Sequence, residues 1–106
     1  MFSLEVALTP QNKNGKWGKS VQKTTANGFQ SKSDAANYVE TAIKHLCMLN
    51  KRNTNTFFVE AFILHDGIHT DYDRGVLVFN KDTGSLRIEP VIKNTSFLRT
   101  GQACVA

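Results

Sequence analysis

No stretch of about 18 consecutive apolar residues occurs in the chain, so no segment is long enough to cross a bilayer as a helix. The N-terminal stretch MFSLEVALTPQNKNGKW has neither a basic start nor a long apolar centre. The expectation is therefore a cytoplasmic protein without a secretory signal or a membrane partner. Cysteine is scarce. Cys47 and Cys104 stand alone, outside any zinc spacing. Cys47 falls among apolar neighbours on a predicted helix, which points to a buried, inert thiol. A bridge to Cys104 stays open on spacing alone, although a reducing compartment argues against it. The Asn94–Ser96 tripeptide fits a glycosylation sequon, which means nothing without secretion. Also missing are G-x-S-x-G, a P-loop and a dinucleotide fingerprint, so the common nucleophile and nucleotide chemistries have no carrier.

What is present suits one small domain spanning 1–106. The chain has 106 residues, 41% of them hydrophobic, enough for one core but not for a deep internal active site. The net charge is +4, unevenly spread. Residues 1–56 hold eight Lys/Arg against three Asp/Glu, and residues 57–106 hold five against six. A basic front half favours phosphates or an acidic surface as partner.

Periodicity predicts an α+β fold in the order ββαβββ, with one amphipathic helix on a mostly antiparallel sheet of about five strands. FSLEVALT alternates as a half-buried strand. Asn14-Gly15 marks a hairpin turn into a second strand over about 16–25, and ANG ends it. Ser31 is placed to cap a helix over about 32–51, with Asp34 at the capping-box position. Ala35, Val39, Ala42, Ile43, Leu46 and Leu49 form its apolar face; His45 lies on its solvated face, and Lys51 and Arg52 at its negative end. FFVEAFILH is apolar on both sides and reads as a central strand. GVLVFN and SLRIEPVI complete the set, with Gly84 in the turn between them and Pro90 marking an edge. The tail 99–106 is expected to be loosely held.

Three features carry candidate chemistry. His65, His69, Asp71 and Asp73 crowd into HDGIHTDYD, where a small metal-dependent or acid–base enzyme would place its groups. The companions that zinc or calcium motifs require are missing, so the stretch reads as a polar contact loop between strands, with no metal and no cofactor. Glu60 interrupts the face formed by Phe58, Phe62 and Leu64, and if buried it needs a partner such as Arg74 or Arg87. One helix covers only one face of five strands, so that aromatic stripe is expected to be open, with Tyr72 as a further anchor for a protein, a nucleoprotein or a second copy of the chain.

The third feature is a basic ribbon. Lys13, Lys16, Lys19 and Lys23 surround Trp17, either as a solvated edge or as a grip on nucleic-acid phosphates. Residues 15–43 around it resemble the arm-type DNA-binding domain of phage integrases. The likeness rests on Gly28-Phe29, Ser31-Lys32 and Asp34-Ala35. It implies DNA contact through Lys16, Lys19 and Lys23. The chain departs from that family by continuing into three further strands, with no recombinase domain.

Together these features describe a small non-catalytic binding protein. Size and an Asn/Thr/Lys-rich surface suit a protein of a phage or other mobile element, such as an inhibitor of a host defence complex.

Overall fold

The computed structural model describes residues 1–19, 21–51, 54–91 and 97–98. Five strands form one antiparallel sheet: β1 Phe2–Pro10, β2 Gln22–Phe29, β3 Thr56–His65, β4 Ile68–Phe79 and β5 Leu86–Pro90, in the spatial order β2-β1-β3-β4-β5. The central place of β3 follows from its two apolar faces, and the edge place of β5 from Pro90. Among the described residues, no helix is long and apolar enough to cross a membrane. Arg52, the Asn94–Ser96 sequon and the tail 99–106 with Cys104 lie outside the described residues.

The helical layer is bent rather than continuous. α1 runs Lys32–Asn37 and α2 runs Val39–Leu49. Ser31 Oγ accepts the backbone N–H of Asp34 at 3.1 Å, satisfying one of the donors that a helix start leaves open. At Tyr38 the turn tightens: its N–H reaches the Ala35 carbonyl, and its own carbonyl accepts from Ala42. Neither proline nor glycine marks this break, and the apolar periodicity runs through it, so the sequence reads as one helix.

The helices lie on the face to which β1 turns its even-numbered residues and β3 its odd-numbered ones. Leu4, Val6, Leu8, Phe57, Val59, Ala61, Ile63, Leu77 and Phe79 meet Ala35, Val39, Ala42, Ile43, Leu46 and Cys47 in one core. Leu49, expected inside, is exposed, and Cys47 is fully buried. Burial pushes the Cys47 thiol up to about 12, so its thiolate is scarce at neutral pH, as expected for an inert core thiol. Leu98 joins the same core from the far end of the chain.

Two strand limits differ from the sequence reading. β2 starts at Gln22 rather than near Lys16, and before it only Gln11 and Trp17 bridge. It then continues through Ala26-Asn27-Gly28 to Phe29. Leu4 pairs with Ala26 and Phe2 with Phe29, so β2 carries one extra residue there, and Gly28 takes the positive φ of 86° that such a bulge uses. The larger correction concerns HDGIHTDYD. It is a hairpin and the first half of the longest strand, with His65 paired to Ile68. Asp66 and Gly67 both have positive φ, 50° and 84°, the mark of a two-residue turn matched to strand twist.

Candidate functional site

The helix-free face of the sheet gathers most of the sequence-predicted residues. Cross-strand register sets them in rows: Thr25–Glu5–Phe62–Tyr72, then Lys23–Ala7–Glu60–Arg74, then Thr9–Phe58–Val76–Glu89. Phe62 is the hub of the first row. Its ring lies 4.8 Å from Tyr72 and 4.8 Å from His69. Phe58 anchors the third row, with Trp17 tilted over it at 5.7 Å. Trp17 and Tyr72 remain 41% and 45% exposed, so the aromatic stripe is open to a partner. A shallow depression of about 160 Å³ lies beside Phe62, over Ala7, rimmed by Glu5, Lys23 and Thr25.

Glu60 finds a nearer partner than the arginines. The Tyr72 hydroxyl donates to Glu60 Oε2 at 2.7 Å, while Arg74 stands directly opposite Glu60 in the register. The hydrogen bond to the carboxylate holds the Tyr72 phenol protonated and raises its pKa, with burial and the Glu60 charge adding to this and the Arg74 guanidinium opposing. The neutral phenol is the bonded form. Any stability from this contact is therefore present below the ordinary tyrosine value of 10.0 and lost as pH rises through the raised folded value. In Glu60→Gln, Tyr72 is expected to ionise at lower pH than with Glu60 in place, read from phenolate absorbance in a Tyr38→Phe background. An unchanged titration would remove Glu60 as the cause.

The histidine–aspartate cluster does not assemble. His65 stacks on Phe2 at 4.4 Å, and Phe2 packs against the core. His69 turns to the opposite face, where its Nε2 lies 3.4 Å from Glu5 Oε1. The two-residue turn sets this: His65 pairs with Ile68, so His69, next along and opposite Leu64, faces the other way. A bulge beyond it, with Ile63 paired to Asp71 and Thr70 the extra residue whose hydroxyl donates to the Ile63 carbonyl at 3.1 Å, then turns Asp71 and Asp73 away from His69. Asp71 forms an ion pair with Lys32 at 2.9 Å. Asp73 is buried on the helix side and accepts the backbone N–H groups of Arg74, Phe97 and Leu98. No group of three His, Cys, Asp or Glu able to hold a metal occurs among the described residues. Asp71 and Asp73 thus carry structure, and the open face keeps Phe58, Glu60, Phe62, His69 and Tyr72.

The lysines do not form one ribbon face. Lys13 and Lys16 belong to the tight turn closed by Gly15, Lys19 lies in the connection, and Lys23 sits on the open face of β2. Gly28 and Phe29 close β2 and Ser31 caps α1. A wider groove of about 560 Å³ at the sheet end, lined by Gln11, Asn55, Phe79 and Lys81 among others, is polar, and Lys81 there donates to the Asn50 carbonyl. Sequence reasoning missed Glu5, His69's partner, because alternation marks Glu5 only as an outward residue. No family model, curated protein or solved structure matches this chain.

Proposed function

We propose that the protein acts without catalysis, by docking the open face of its sheet onto a protein partner. The observation that carries this is a row of rings, left uncovered by the described residues and interleaved with balanced charge. Around Phe58, Phe62, Tyr72 and Trp17, the described strand residues of this face place Lys23, Arg74 and Arg87 against Glu5, Glu60 and Glu89. Aromatic and arginine anchors inside a mixed polar rim are the composition of protein interfaces. A phosphate backbone would meet three carboxylates among the cations, which opposes the counterion release that drives nucleic-acid binding. For a protein of a mobile element, host defence complexes are the natural place to seek the partner.

Capture from host lysate with paired variants tests this. A nuclease-resistant protein partner is expected to bind the wild type and a Lys13/Lys16/Lys19→Ala variant, which leaves the open face intact, equally. Phe62→Asp should weaken capture by about 30-fold or more, since a central interface anchor is worth roughly 2–4 kcal/mol. Unchanged circular dichroism in Phe62→Asp would show that the fold is kept. Capture of nucleic acid with a steep salt dependence, lost in the lysine variant, would instead establish the basic-ribbon mechanism.

A further inference from the structure

The sheet has two edges, and among the described residues only one is protected. β5 is five residues long, ends in Pro90, which has no N–H, and carries Arg87 and Glu89. These features discourage pairing with another strand. β2 is the opposite edge. Its eight residues, QKTTANGF, contain no proline and one charge, Lys23. Lys23, Thr25 and Asn27 are exposed. An edge of this kind presents a row of backbone donors and acceptors to any strand that can lie beside it.

Both ends of that edge carry exposed apolar side chains. At the start, Val21 is 49% exposed, and Leu49, 56% exposed, precedes Asn50, whose side-chain amide donates to Gln22 Oε1 at 2.6 Å. At the far end, the Phe29 ring lies 5.5 Å from Tyr38, which is 38% exposed. We infer that β2 pairs antiparallel with β2 of a second copy, about a two-fold axis near Thr24–Thr25. A two-fold interface uses the same patch twice, so each residue must suit its symmetry partner. Antiparallel pairing sets the Val21/Leu49 end of one copy against the Phe29/Tyr38 end of the other, and does so at both ends. Registers centred on Thr24 or on Thr25 keep both open faces on one side and place Lys23 opposite Thr25 or Asn27, never opposite the other Lys23. The threonines face one another, a favourable cross-strand pair. The product is one continuous sheet of twice the width, with its two open faces side by side. This pairing is independent of the docking proposed above, because the edge and the aromatic stripe use different side chains.

Light scattering on the full chain across a roughly hundredfold concentration range tests it. The mass is expected to rise from 11.8 kDa toward twice that value. Val21→Lys with Leu49→Lys, which leaves the backbone untouched, should weaken self-association by about tenfold or more. Of Thr24→Pro and Thr25→Pro, the one that keeps the wild-type melting curve has lost an outward N–H and should stay monomeric. Phe62→Asp should dimerise like the wild type. A chain that is monomeric throughout, a dimer that both the lysine and the folded proline variants leave intact, or a dimer broken by Phe62→Asp alone would overturn the assignment.

Discussion

Asp73→Ala is expected to destabilise the fold by about 3–5 kcal/mol, the largest effect of any single polar substitution considered for this chain. The Asp73 carboxylate is buried and accepts N–H groups from Arg74 at 2.8 Å, Phe97 at 2.8 Å and Leu98 at 3.2 Å. A hydrogen bond to an ionised acceptor contributes about 1.5–3 kcal/mol, and removing the acceptor leaves its buried donors unmatched. The loss would be a fifth or more of the roughly 5–15 kcal/mol that holds a small domain together. It should lower Tm by more than about 12 °C. Asp73→Asn keeps one acceptor oxygen and should cost less, about 1–3 kcal/mol. Because Asp73 holds the backbone of Leu98 in the core, Asp73→Ala and Leu98→Ala should not add in urea unfolding. Strict additivity would show that Leu98 is seated without the carboxylate.

Gly75→Ala is the second large change, expected to cost about 1–3 kcal/mol although alanine normally suits a strand better than glycine. A Cβ at Gly75 would stand 2.7 Å from the Glu89 carbonyl oxygen and 3.2 Å from Pro90 Cα. Both are backbone atoms of β5, so no side chain can swing aside. The roughly 0.4–1 kcal/mol that alanine returns by restricting the unfolded chain is too small to offset the clash. β5 pairs with β4 alone in the sheet, so the damage should concentrate there. Faster amide exchange at Ile88 and Glu89 than in the wild type is the local sign. A stabilised Gly75→Ala would show that β5 does not approach so closely.

Both substitutions lie in a strand whose first half reads as a loop in the sequence. HTDYD is polar because its acidic groups are matched by distant partners: Asp71 by Lys32, and Asp73 by the N–H groups of Phe97 and Leu98. Alternation alone cannot name such partners. The Asp66-Gly67 pair is legible as a hairpin turn, but the two histidines and two further aspartates around it draw attention to chemistry instead. Gly75 opens the predicted strand GVLVFN; in the structure it sits within β4, where the neighbouring backbone of β5 leaves no room for a Cβ.

The amino-acid sequence by itself determined the local choices: alternation in β1, the Ser31 cap, the two-sided apolar β3, the Pro90 edge and the excess of sheet over helix. These depend on side-chain period and backbone propensity, which act over a few residues. Tertiary structure decided the rest. It turned Asp71 and Asp73 away from His69 through a one-residue bulge, gave Glu60 to Tyr72, buried Asp73 against Phe97 and Leu98 and left β2 as the less protected edge. Each of those outcomes depends on register between strands far apart in the chain, and register is set by the packing of the whole sheet against its helices.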